Sequence, residues 1–327
     1  MTMNKLGIHK RWNHKFLLKE IACRIPEHAG LTPEQLAQSL AGHAKDCEEI
    51  NAYASGDPEF DLRDALLPLR WHGQFLMRKA QYTIYKHGNL DRAEVSVAAW
   101  HRVLSMLLGF GWGTAQRRPA WSPKLRDVAQ TIAVAYAVGW NATAGQIAES
   151  AANFMPERTL WTEEDEDPRW QRNREPFARF TWALWADFAG VSLPKMPDHP
   201  YESPAYDRLL ACWKSPDPQA LIEPLLDVCD WHTHECMYSR SMLPSKQVDF
   251  IDDTLMGWAI EVHMVYRLRE RLGLALPPEL DHPLMKAPLG AYLPPQPIPR
   301  DERLERVIRR AYSEVPGLEE VLQQAMG

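Results

Sequence analysis

Apolar residues recur at intervals of three and four along most of the chain, and this period constrains the fold more than any other feature. In NLDRAEVSVAAWHRVLSMLLGFG, the residues Val95, Ala99, Val103, Met106, Leu107 and Phe110 fall on one face of a helix. Gly109 or Gly111 is expected to end it. In TPEQLAQSLAGHAKDCEEINAYA, Thr32 stands as N-cap, Pro33 takes the first helical position and Gln35 completes a capping box. In SPKLRDVAQTIAVAYAVG, Ser122 caps and Pro123 follows, with Leu125, Val128, Ile132 and Tyr136 on one face. No alternating Val/Ile/Thr run closed by Asn-Gly or Asp-Gly occurs, and no repeat of fixed period. The pattern predicts an all-α, multi-helix bundle.

The segment after Ser245, KQVDFIDDTLMGWAIEVHMVYRLRERLG, gives the clearest helical stripe: Ile251, Leu255, Trp258, Ala259, Val262, Val265 and Tyr266. Asp249, Asp252 and Asp253 would sit in its first turns and Arg267, Arg269 and Arg271 in its last, an order that complements the helix dipole. Gly273 is placed to end it, with Pro277 beyond.

Composition changes most sharply at LWTEEDEDPRWQRNREP, Leu160 to Pro176, where five consecutive acids precede Pro168 and three arginines. This predicts a helical half over 1–159, an acidic connecting loop over 160–176 and a second helical half over 177–327. Residues 194–204 read as irregular. LPPQPIPRDE reads as a Pro-rich connector before a last helix from Asp301 to Tyr312.

A chain of 327 residues, 45% hydrophobic, can bury a sizeable core. Its thirteen Trp residues require an interior or an interface rich in indole. A net charge of −6 argues against general nucleic-acid binding, which needs cations to displace counterions. The five cysteines are odd in number and scattered, as expected of reduced thiols. The N-terminus, MTMNKLGIHKRWNHKF, has no apolar signal region. The uncharged run Val128 to Ala148 reads as one buried helix rather than a membrane span, because it is rich in Ala and Gly and carries Gln and Asn. These features predict a cytoplasmic protein with no membrane partner.

Two stretches carry side chains suited to chemistry. In CDWHTHEC, a helix would place Cys229, His232 and Cys236 at i, i+3 and i+7, a set that can hold a catalytic zinc. The alternative is buried thiols on a core face. Asp230 and His234, at i and i+4, read as a local ion pair. In DFIDD, Asp249, Asp252 and Asp253 resemble the aspartate clusters that hold magnesium in terpene-cyclase-type enzymes. The second metal motif of that type is not found, and a helix N-terminus explains the acids without a metal. No G-x-S-x-G, Walker loop or H-E-x-x-H occurs, and GFGWG follows a helix rather than a strand. The two DHP triplets, at 198–200 and 281–283, read as turns. No cofactor is called for.

The acidic run is the feature least explained by folding. Glu163, Glu164, Asp165, Glu166 and Asp167, framed by Trp161 and Trp170, suit a surface for a cationic protein, with indoles as anchors and charge steering the encounter. The bland alternative is a solvated loop.

An acidic, helical chain of this size without a reaction motif resembles the immunity proteins of polymorphic toxins and type VI secretion effectors. Most of the likeness lies in AIEVHMVYRLRERLGLALPPELDHPLM, Ala259 to Met285, a helix ending in R-x-x-x-G-L followed by P-P-x-x-D-H-P-L. The resemblance implies a cytoplasmic antitoxin that binds one cognate toxin with a basic surface and occupies or distorts its active site. Against a nuclease, Glu163 to Asp167 would mimic phosphates in a positively charged groove. The competing readings are an all-α metal-dependent enzyme using either cluster, and a helical scaffold for endogenous partners.

Overall fold

The computed structural model describes residues 6–116, 124–154, 176–193, 203–236, 249–250 and 252–326. Among these residues the chain is all-α, with thirteen α-helices and no strand beyond one isolated parallel bridge between Cys236 and Phe250. The helices are α1 (His14–Ala22), α2 (Pro33–Ser55), α3 (Leu62–His87), α4 (Arg92–Gln116), α5 (Leu125–Ala137), α6 (Asn141–Phe154) and α7 (Pro176–Ala189). They continue with α8 (Pro204–Cys212), α9 (Ile222–His234), α10 (Ile260–Arg271), α11 (Pro283–Lys286), α12 (Glu302–Glu314) and α13 (Leu318–Met326).

Local chemistry starts several of them. Thr32 accepts from Gln35 N while the Gln35 side chain accepts from Thr32 N, so the expected capping box opens α2. Asp61 and Asp64 do the same for α3, and Asp301 caps α12. The antiparallel pair α3 and α4 forms the centre. They pack tightly at Gly73, where a Cβ would lie 2.9 Å from His101 Cβ and 3.0 Å from Ala98 O. Helix α5 is buried on nearly every face, between α4, α6, α7 and α10. Apolar residues from Trp12 to Ala325 join one hydrophobic core, so helices before and after the acidic stretch share it. Trp100, Trp182, Trp213 and Trp258 lie fully inside it. No helix among the described residues is long and apolar enough to cross a membrane.

The structure differs from the sequence reading at four places. The run Val128 to Ala148 is two helices, broken at Gly139, whose φ is +89°. There Gly139 N bonds Tyr136 O and Trp140 N bonds Ala135 O, so the chain turns back with a glycine in the left-handed region. Helix α5 begins at Leu125 with Lys124 as its cap residue, and Ser122 and Pro123 lie outside the described residues. Helix α4 does not stop at Gly109 or Gly111 but runs on to Gln116. Gly111 instead makes room for Leu318 of α13, whose Cδ1 would sit 2.1 Å from a Cβ there.

The fourth difference is the largest. The long helix expected after Ser245 begins only at Ile260. Phe250 pairs with Cys236 in the isolated bridge, with Asp249 at a bend before it, and Asp252 caps a short 3-10 turn, Asp253–Leu255. The aspartates are therefore not dipole ligands of a helix. Arg269 and Arg271 do fall in the last turn of α10, as expected, but Arg267 and Arg269 are buried. Arg269 donates to Ala275 O, Trp213 O and Ser215 O, and Arg267 to Leu293 O, so both tie loops to α10.

Candidate functional site

The two stretches singled out by their side chains meet in space. Trp231 Nε1 donates to Asp249 Oδ2 at 3.2 Å, and Phe250 N donates to Glu235 O at 2.9 Å. CDWHTHEC ends α9 and DFIDD lies alongside, so the polar groups of both form one buried junction under α10 and α3.

His232 is the centre of the first part. Its Nδ1 donates to Glu261 Oε1 at 2.7 Å, and its Nε2 faces Leu255 O at 3.1 Å and Met256 O at 3.2 Å. Both ring nitrogens face acceptors, which suits an imidazolium. Burial alone would keep the ring neutral, but the Glu261 carboxylate outweighs it and holds His232 well above the usual histidine range. Cys236 Sγ lies 3.1 Å from His232 O. Burial pushes the thiols of Cys229 and Cys236 up, so both are poor thiolates. Cys229 and His232 share the core side of α9, but the helix ends at His234, so Cys236 is not the i+7 member of the set; it is buried in the bridge to Phe250. His232 has no lone pair left for a metal.

Asp252 and Asp253 form the second part. Arg102 Nη1 donates to Asp252 Oδ2 at 2.6 Å, and Thr254 N and Oγ1 donate to Asp252 Oδ1. Burial opposes the charge on Asp252, but Arg102, Thr254 and Arg78 overcome it and hold the carboxyl down at about 2. Arg78 makes a two-pronged contact with Asp253, at 2.8 and 2.9 Å, and Arg24 adds a third at 3.2 Å. Arg102 also donates to Thr131 and Gln130, and Gln130 in turn donates to Asp249 O. A small cavity beside Arg102, bounded by Gly73, Met77, Thr254 and Trp258, has room for about one water molecule. No group of three or more His, Cys, Asp and Glu among the described residues is arranged to hold a metal ion.

Asp230 and His234 are joined through a third party. Gly7 N donates to Asp230 Oδ2 at 3.1 Å, and His234 Nε2 donates to Gly7 O at 2.9 Å. His9 N donates to Thr233 Oγ1 at 2.9 Å, and Trp12 Nε1 to Met256 O at 3.3 Å. An N-terminal strap is thus laced along the end of α9. The second DHP is the turn that was expected: His282 Nδ1 accepts from Leu284 N and caps α11, while Nε2 donates to Asp230 Oδ1 at 3.2 Å. The first DHP lies outside the described residues, as do Trp161, Glu163, Glu164, Asp165, Glu166, Asp167 and Trp170.

Sequence reasoning missed Glu261, Arg24, Arg78 and Arg102, which satisfy the two clusters. One signal was available for Arg102: a lone cation inside VAAWHRVLSMLLGF implies a buried counter-charge elsewhere. Nothing in the spacing points to Asp252 as that partner. Comparison with known proteins finds no match, whether to a family model, a curated protein or a solved structure.

Proposed function

We propose that this chain is an immunity protein that binds a cognate antibacterial toxin and blocks its active site. The observation that carries this reading is the internal use of the reactive groups. His232 spends both nitrogens on Glu261 and backbone carbonyls, and Asp252 and Asp253 spend their oxygens on three arginines. A cluster neutralised from within holds helices together and offers little to a substrate or a metal, which weighs against the metal-dependent enzyme. What remains for function is surface. The acidic run Glu163 to Asp167 with Trp161 and Trp170 supplies charge and anchors for a basic partner, a nuclease being the kind whose groove such a run would fill.

Co-expression with the product of the adjacent gene tests this reading. Survival of cells otherwise killed by that product, with a stable complex on a sizing column, is the expected result. Neither rescue nor complex would overturn it.

A further inference from the structure

Away from this junction, three helices converge on a single guanidinium. We propose that Arg303 of α12, His72 of α3 and His101 of α4 form an acid-released clasp that holds the first turn of α12 on the α3–α4 pair. The bonding pattern fixes the protons. His101 Nδ1 donates to Val97 O at 2.9 Å, which leaves Nε2 as a lone pair, and Arg303 Nη2 points at it from 3.5 Å. The same Nη2 points at His72 Nε2 from 3.4 Å, so the His72 proton sits on Nδ1, facing Cys47 Sγ at 3.4 Å. The two rings stand edge to face, 5.1 Å between centres. Neither can turn away. Both are buried, and the close approach at Gly73 presses directly on His101.

The clasp works only while both rings are neutral. A proton on either Nε2 would replace an acceptor by a donor and set imidazolium against guanidinium. Among the described residues, no carboxylate lies within ion-pair distance of Arg303 to offset that repulsion. The groups facing the rings are His43 and Cys47 from α2, Val97 O from α4, and Asp301 and Arg303 from α12. Of these, Asp301 favours charge on both rings, and Val97 O favours it on His101. Burial prevails, aided at His72 by His101 and Arg303, and pushes His72 down to about 4; His101 is lowered as well, chiefly by burial.

A histidine whose pKa is depressed in the closed form takes its proton first in the open form. Closure therefore weakens as pH falls from about 6.5 toward 4. From His72 alone, opening of the first turn of α12 should rise between pH 8 and pH 4 by at most about a hundredfold, the limit in which the open form returns the ring to the ordinary histidine range. Farther along α12, Arg310 donates to Tyr53 O and Phe60 O, which keeps the rest of the helix seated.

Amide hydrogen exchange over residues 302–306, corrected for intrinsic exchange and followed from pH 8 to pH 4, is the test. Opening of this turn before α5 and α10 is expected. It should be flattened in His72→Gln with His101→Gln, because the amide oxygen still accepts from Arg303 and does not titrate. An unchanged pH response in that variant, or opening together with α5 and α10, would overturn the clasp. If the double variant does not fold, imidazole titration by NMR in Arg303→Gln takes its place. Both rings should then titrate closer to the usual histidine range, and unchanged titration would reject the proposal.

Discussion

Arg102 Nη1 lies 2.6 Å from Asp252 Oδ2, and both side chains are closed off from solvent, so the middle of α4 is tied to a segment 150 residues later. Removing one partner leaves the other charge buried. Arg102→Met is expected to cost about 3–5 kcal/mol of stability in urea unfolding. Arg102→Met with Asp252→Leu should recover much of that loss, because no charge is then stranded. A loss under about 1 kcal/mol in the single variant would mean that water reaches the pair.

Glu261 does the corresponding work for His232. Its pKa being raised in the fold, His232 contributes stability that is fully present below the ordinary histidine pKa and is lost as pH rises through the folded value. In Glu261→Gln the ring should lose its extra proton near neutral pH, seen as loss of the imidazolium signature by NMR. Stability should fall by about 3 kcal/mol at pH 6. A ring that stays charged in the variant would show that Glu261 is not what holds the proton.

Acid should act through histidines kept neutral. His263 accepts from Trp258 Nε1 and donates to Gly290 O at 2.8 Å, and burial pushes it down to about 4, as it does His72. The unfolded chain takes up these protons first, so stability is lost as pH falls from about 6.5 toward 4, by up to roughly 3 kcal/mol for each ring. Urea midpoints at pH 7, 5.5 and 4.5 measure this. A flat profile would contradict the buried, neutral assignment.

Gly139 combines a φ of +89° with a neighbour, Pro295 Cα, that would lie 2.5 Å from any Cβ. Gly139→Ala is expected to cost about 2–4 kcal/mol by thermal or chemical unfolding, as backbone strain adds to a clash with main chain. A neutral result would require the 294–296 segment to move freely away from α5.

Replacing Glu163, Glu164, Asp165, Glu166 and Asp167 by their amides should leave unfolding unchanged. On the proposed immunity reading, association with a toxin partner should slow, with a flatter dependence on salt. Stopped-flow binding at two ionic strengths decides it, and identical rates would remove this run from the interface.

The helical class and the starts of α2 and α12 were legible because their signals are local: Thr32 with Gln35, and Asp301 as a cap. The segment over 252–259 was misread because its apolar residues are real core residues but serve burial on all sides. Leu255, Met256, Trp258 and Ala259 are interior without an α-helix to carry them. The aspartates there respond to Arg24, Arg78 and Arg102, and no pattern within a window of chain encodes such long-range pairing. The interior use of His232 was hidden for the same reason, since Glu261 comes 29 residues later. Cys229 and Cys236 are buried thiols as expected, Cys229 through helical spacing and Cys236 through the bridge to Phe250 beyond the end of α9.

The strap along α9 has a consequence for the order of assembly. Gly7 bonds a residue 223 positions away, and Trp12 a carbonyl 244 positions away. Closing such a loop late costs conformational entropy that no local contact repays, so these bonds belong to the final stage of folding. During synthesis, Trp12 leaves the ribosome long before Met256 exists. Its indole N–H must wait for that carbonyl until most of the chain is made, although α1 can already pack on α3.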